Sequence, residues 1–383
     1  MWVAAAVLAV VGVGAWVVVD RSGDDEPAAS DGWRSEEFSG SQLLTTDGER
    51  VCSTTNVRIL YCLDAATGEE LFATELDSSL VISPQLVGDR LVLGGGGGFS
   101  GELYAYSLDG DELWDEVIDA DAGDARLPIA GDVTAVVEDE ELVGVDLATG
   151  EELWRTYIAS DDDGGIGGGS SDLTAVPSDV FSDGSRFYAA VQRYDPATGG
   201  GDGYVVAVDP GSGSEMWRSP ELPDVGLRSG IRKLAPFDDG SAVAVHLEGF
   251  PQRIVVLESE TGQMRWDVGL VSDYASVAHL DGLTVVADGV DTRAYDADGQ
   301  EVWAMASPVL EGKPDLLSPG ELVVDQGRLF AVGYDVYEID PADRSTRLLR
   351  SGGSAHDAVI VGDLLVISAV MELQAVPLDP PDE

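Results

Sequence analysis

The sequence predicts an all-β fold: an eight-bladed β-propeller, with seven blades as the fallback, following an N-terminal transmembrane helix. Three observations lead there. A turn of the form Asp-x-x-Thr-Gly-x-x-x-Trp recurs along the chain, its anchor positions about 40 to 60 residues apart, the period of one four-stranded blade. An alternating apolar run precedes the turns, as in Leu142-Val143-Gly144-Val145 and Tyr204-Val205-Val206-Ala207-Val208. Of eight tryptophans, six (Trp33, Trp114, Trp154, Trp217, Trp266, Trp303) keep the phase of the repeat, and only Trp2 and Trp16 lie elsewhere.

Taken from the N-terminus, residues 1–19 come first. The stretch Trp2–Val19 carries no polar or charged side chain. That is just long enough to span a bilayer. We read residues 1–19 as a transmembrane signal anchor; the competing reading is a secretion signal cleaved late, at Ala28-Ala29-Ser30. No Lys or Arg precedes the run, so its flank does not orient it. Residues 20–32, DRSGDDEPAASDG, form an acidic, disordered tether. Residues 33–383 form the propeller ectodomain.

The repeats then follow in order. Asp64 to Phe72 reads DAATGEELF, and a shortened copy, SLDGDELW, ends at Trp114. Asp146–Trp154 is DLATGEELW, Asp209–Trp217 is DPGSGSEMW and Glu258–Trp266 is ESETGQMRW. A second short copy, DADGQEVW, ends at Trp303, and a degenerate one runs from Asp340 to Leu348. In each turn the Asp and Thr side chains can hydrogen-bond nearby backbone, and the Gly supplies a positive φ. A lone four-stranded sheet cannot bury both faces. Blades therefore stack around an axis, with Trp33, Phe72, Trp114, Trp154, Trp217, Trp266 and Trp303 as the blade-docking aromatics.

Seven anchors give seven blades. Asp357–Val370 then reads as two strands and Glu372–Val376 as a third, with no fourth. At the other end Trp33–Phe38 reads as an outer strand without a blade, and it aligns with Trp154-Arg155. Joining them makes an eighth blade and removes an open edge. With no covalent staple, closure is expected to rest on that strand alone.

The TGEELW-type turn and its copies resemble the pyrroloquinoline-quinone-like propeller repeat family, over roughly residues 33 to 380. The resemblance implies the fold. Its members range from quinoprotein alcohol dehydrogenases to the propeller lipoprotein of the outer-membrane barrel assembly machine and to sensor or scaffold ectodomains. Quinone-dependent members share a vicinal disulfide over the cofactor, a Trp floor and calcium-ligating acids. This chain has no Cys-Cys pair and no lipobox cysteine, and its repeat tryptophans are committed to packing. The resemblance thus carries over no cofactor, metal or catalytic residue, and the chain is expected not to be an enzyme.

The chain carries 71 acidic and 21 basic residues, a formal net charge of −50, and only two lysines, Lys233 and Lys313. Repulsion on this scale excludes nucleic acid and anionic lipid headgroups as direct partners. Cys52 and Cys62 flank the Val57 hairpin tip symmetrically, so antiparallel register sets them face to face. A disulfide is the expected state outside the cytoplasm, and two buried thiols are the alternative. An acidic domain of this kind belongs on the outer side of the cell membrane, or in the medium if the signal is cleaved. Gly96-x-Gly98-x-x-Gly101 matches a dinucleotide fingerprint but joins two strands, Arg90–Leu93 and Glu102–Tyr106, and reads as a hairpin loop. Acids at Asp119, Asp121 and Asp124 and at Asp161–Asp163 match no calcium loop.

Loop lengths indicate a working face. The A–B and C–D turns are tight. The long connections are the B–C loops Gly94–Gly101, Asp195–Gly203 and Gly249–Arg253, and the D–A loops Ser160–Ser171 and Pro220–Gly230. Antiparallel order places them all on one side, with Tyr194, Phe250 and Phe99 as candidate contacts for a protein or small-ligand partner.

Overall fold

A computed structural model describes residues 32–35, 44–55, 58–76, 84–96, 101–118, 127–138, 140–158, 174–194, 201–222, 231–237, 240–247, 252–270, 275–288, 291–306, 321–351, 355–369 and 372–378. The expected anchor and tether, apart from Gly32, lie outside them. Among the described residues no helix is long and apolar enough to cross a membrane.

Every described strand falls into one of eight four-stranded antiparallel sheets. Blades 1 to 7 cover 45–75, 85–118, 129–157, 174–218, 231–269, 276–306 and 321–350, each a plain meander of strands A to D. Blade 8 takes its A, B and C strands from Ala355–Val361, Leu364–Ala369 and Glu372–Pro377, and its D strand from Trp33–Ser35. The register is Trp33 opposite Ala375, Arg34 opposite Gln374 and Ser35 opposite Leu373. The expected closing strand extended to Phe38; its last three residues lie outside the described set.

Apolar burial follows the blade stacking. Eight hydrophobic clusters form, one between each pair of neighbouring blades. Leu44, Val51 and Tyr61 of blade 1, for example, pack with Trp33, Val359 and Val366 of blade 8. B and C strands are buried almost throughout, because both of their faces meet a neighbouring sheet. The outer D strands are half-solvated and alternate.

Two expectations need correction. Gly94–Gly96 is strand and not loop: Gly94 pairs with Leu103, Gly95 with Glu102 and Gly96 with Gly101. Gly201–Gly203 likewise opens a C strand, paired to Gln192–Tyr194. Glycine has no side chain to bury, so a run of it gives no apolar alternation although its backbone pairs normally. Nor does closure rest on the Trp33 strand alone. The buried Asp357 carboxylate of blade 8 accepts the Leu44 N–H of blade 1 at 2.8 Å. Glu372 of the C-terminal strand pairs with Arg350 of blade 7 at 2.6 Å and also with Arg34 of the N-terminal strand.

The disulfide is formed. Cys52 and Cys62 are directly opposed on the B and C strands of blade 1, with Cα atoms 4.1 Å apart. That separation fits a non-hydrogen-bonded pair, where the side chains lie closest.

Candidate functional site

The two ends of the ring are built differently. On one lie the A–B and C–D turns. Each A–B turn reverses through a glycine at positive φ: Gly48, Gly88, Gly131, Gly184, Gly240, Gly282, Gly327 and Gly362. In the C–D turns the leading acid organises the loop. Asp64 Oδ1 accepts from the Thr67 N–H at 2.8 Å and from its hydroxyl at 2.9 Å. Asp209 does the same for Ser212.

These turns are where neighbouring blades lock. A methyl group at Gly68 would lie 2.5 Å from the Trp33 ring, at Gly110 2.7 Å from Phe72 and at Gly150 2.9 Å from Trp114. The aromatic of one blade thus lies flush on the turn glycine of the next. The indole N–H completes the lock: Trp33 donates to Ala65 O at 2.9 Å, Trp154 to Pro210 O at 2.6 Å and Trp217 to Ser259 O at 2.6 Å. All seven predicted docking aromatics occupy this position, opposite Ala375, Cys62, Ala105, Gly144, Ala207, Val256 and Ala294. The seventh blade departs from the pattern. Arg344 stands where other turns have glycine, at φ 65°, and Arg347, opposite Glu338, takes the place the aromatics hold elsewhere, while Leu348, the aromatic's counterpart by sequence count, lies opposite Tyr337 and is half-exposed. The buried Trp303 N–H that should meet this turn has no hydrogen-bond partner among the described residues.

Sequence reasoning missed a second set of ties. Arg50 and Arg90 open B strands, Arg186 directly precedes one, and each donates to a C–D turn carbonyl of the next blade: Leu108, Leu147 and Ser259. Their signal was present as a recurring Arg just after the A–B turn, which Arg328 shares. Near the axis, two pairs of neighbouring A strands are tied: Leu86 N–H to Thr45 Oγ1 at 3.0 Å and Leu322 N–H to Ser276 Oγ at 2.9 Å. Phe237 of blade 5 stacks on His279 of blade 6, with centroids 4.0 Å apart.

Tyr188 and Asp183 are among the titrating groups on this end displaced from their ordinary values. Burial and the nearby Asp183 carboxylate push the Tyr188 phenol well up. Burial also pushes Asp183 up, but hydrogen bonds from Tyr188, Ser185 and the Arg186 backbone outweigh it and leave the carboxyl below its usual range. Both groups move away from neutrality, the opposite of what general acid–base catalysis requires.

The other end carries the long connections. Between described strands the gaps 119–128, 158–173, 219–230 and 307–320 are D–A connections, and 195–200 and 248–252 are B–C hairpins. The connections 119–128 and 307–320 were not among the predicted insertions. Tyr194 closes the B strand Phe187–Tyr194, opposite Thr174 and Gly201, and so stands at this end. Phe99 and Phe250 lie outside the described residues, as do the acidic groups at 119–124 and 161–163. Beneath the Phe250 hairpin, buried His246 Nε2 lies 3.1 Å from Gln252 Oε1. Among the described residues no three His, Cys, Asp or Glu side chains could share a metal ion. The polar groups at both ends thus serve chiefly to hold backbone, and the long connections are carried on a rigid ring.

Known proteins fit this picture. A family model described as outer membrane protein assembly factor BamB matches residues 22–195 and 201–358. Among solved structures, BamB from Moraxella catarrhalis is 16% identical, with 90% of this chain and 93% of that one covered at a TM-score of 0.51. The computationally designed Ika8 protein is 18% identical, covering 89% and 97% at a TM-score of 0.61. Sqt1 from Saccharomyces cerevisiae is 11% identical, covering 89% and 96% at a TM-score of 0.62. At these identities the structures speak for the propeller fold alone. No curated protein matches the chain. The family match spans most of the ring and includes the repeated turns on which the blades lock, and the chain therefore belongs to the BamB-like branch of the pyrroloquinoline-quinone-like repeat propellers.

Proposed function

We propose that the chain is a non-catalytic binding scaffold, anchored in the cell membrane by residues 1–19 and displaying its ring outside the cytoplasm. One observation carries this reading: the long connections all leave the ring at one end, whereas the N-terminal strand Trp33–Ser35 begins at the tight-turn end. A chain anchored through its N-terminus holds the tight-turn end toward the bilayer and the elaborated end toward a protein partner. The family description, an assembly factor, supports a protein partner as the ligand class.

The test is partner capture from native membranes with two variants. Removing 160–171 and 195–200 together should abolish capture and leave thermal unfolding of the ring unchanged. Capture that survives those cuts but is lost on altering the C–D turns reverses the assignment. Anchoring is checked separately: the full chain should stay in the membrane fraction through alkaline extraction, and release there refutes the anchor. The rival reading, a quinone-dependent oxidoreductase, requires saturable quinone binding with calcium and alcohol-dependent dye reduction.

A further inference from the structure

Each blade ends in a D strand whose outer edge pairs with nothing in its own sheet. Natural sheets blunt such edges with charge or proline. Most blades show at most one large, half-exposed apolar side chain there: Leu71, Leu113, Met216, Met264, Val302 or Leu348. Scattered singly, such residues need no explanation. Blade 3 differs. Its D strand, Glu152–Tyr157, is the one D strand among the described residues with two, Leu153 and Tyr157, both 49% exposed. Leu153 is the extra residue of a β-bulge between Glu152 and Trp154, and Tyr157 lies four residues further along the strand, roughly 13 Å away.

The surroundings define what could cover them. Arg155, between the two in sequence, is held by Glu152 at 2.8 Å, by Glu141 at 3.1 Å and by Glu138. The Tyr157 hydroxyl donates to Glu140. Three carboxylates hold the one guanidinium and two more, Glu140 and Glu151, belong to the same stretch, a local formal charge of −4. The inner side of the same strand is fixed: Trp154 donates to Pro210 O at 2.6 Å and Thr156 to Gly213 O, both in blade 4. The edge is therefore preorganised, and a partner need not meet the cost of ordering it.

From this edge we infer that blade 3 takes up an extended protein segment as a fifth strand, one with apolar side chains at alternate positions and Lys or Arg between them. Backbone pairing supplies the register, Leu153 and Tyr157 receive the apolar side, and the surplus carboxylates select the cations. The inference deepens the scaffold reading by naming a partner chemistry. It places that partner on the outer rim and not on the long connections, so the loop cuts described above leave it untouched.

The probe is a synthetic, end-capped peptide of roughly ten residues with Lys and Val alternating, matched to the usual strand length. Hydrogen exchange of the full chain is followed with and without peptide, at about 0.15 M and about 1 M salt, where screening differs several-fold. Slowed exchange centred on Glu152–Tyr157 is expected, weakening in high salt. Leu153→Ser with Tyr157→Ser should weaken peptide binding at least about tenfold, the equivalent of about 1.4 kcal/mol. Both side chains are surface groups, so unfolding should not change, and Leu71→Ser should leave binding intact. Three outcomes overturn the inference. One is equal protection by a peptide with its Lys and Val in separate blocks, which marks diffuse charge attraction. Another is undiminished binding to the double variant. The third is a concentration-dependent dimer abolished by the double variant, which makes a second copy of this chain the occupant.

Discussion

Gly282 and Gly299 lie in the same blade at the same backbone angle, φ 78° and 77°, yet in different company. An added Cβ at Gly282 meets nothing within 4 Å. At Gly299 it would lie 2.5 Å from Trp266 Cγ and 2.8 Å from both Cβ and Cδ2 of that side chain. None of those atoms is the free end of a flexible side chain, so the docking of blade 5 on blade 6 must shift. Left-handed backbone alone costs a non-glycine residue about 1–2 kcal/mol, and Gly282→Ala should show only that. Gly299→Ala should add an overpacking term of about 1–3 kcal/mol. Urea unfolding followed by tryptophan fluorescence reads both as shifts in midpoint at constant slope. The extra term belongs to the contact with Trp266. In a Trp266→Ala background, then, the two alanine substitutions should cost nearly the same. Equal destabilisation in the wild-type background would falsify the claim that the turn glycines are kept for the neighbouring aromatic and not for their own backbone.

Four further outcomes are expected. Arg344→Gly should raise the unfolding free energy by about 1 kcal/mol, read as a higher urea midpoint, since Arg344 holds a left-handed conformation in a position that is glycine in the other complete C–D turns; no change removes strain from the account. Asp183 has a lowered folded-state pKa, so its contribution is full above the ordinary carboxylate value of about 3.9 and is lost as pH falls from there toward the lower folded value. Asp183→Asn should therefore flatten stability against pH in that acid window, and an unaltered profile counts against the assignment. Deleting residues 33–38 should leave Glu372–Pro377 as an open edge and cause aggregation, and unchanged solubility and melting would refute the closure. Reducing Cys52–Cys62, which closes a short loop, should cost about 2–3 kcal/mol, read from the midpoint with and without reductant; two alkylated thiols in protein taken from its native compartment would contradict the bridge.

Much of the ring was legible because its period is carried by residues with few substitutes. Turn acids, turn glycines and docking aromatics each perform a local task, so each leaves a local mark, and the degenerate seventh copy was visible through its neighbours. The eighth blade could be assembled from two chain ends for the same reason. What escaped was non-periodic. Asp357 binding the Leu44 N–H joins positions 313 residues apart, and no spacing announces it. Gly94–Gly96 reads as loop because strand patterns are written in side chains, while pairing is done by the backbone. Tyr194 was placed at the expected end of its strand, but Phe99 and Phe250 were chosen for loop position alone, a criterion that fixes no geometry. The paired exposure of Leu153 and Tyr157 was invisible beforehand, because the Leu-Trp motif hides which of its two members faces solvent.

The Trp33–Ser35 strand is made first, and its partner Glu372–Pro377 is made last. During synthesis the first segment of the ring must therefore wait for the final one. Seven blades can condense in order as they emerge, each stacking on its predecessor through local turns. The eighth cannot exist until Glu372–Pro377 has been made. A chain cut short anywhere before Glu372 keeps an unsatisfied N-terminal strand and exposes the blade 1 surface that Val359 and Val366 would have covered. Completion is thus an all-or-none event that reports on chain length, and a protease patrolling for loose strands would find every truncated copy already marked.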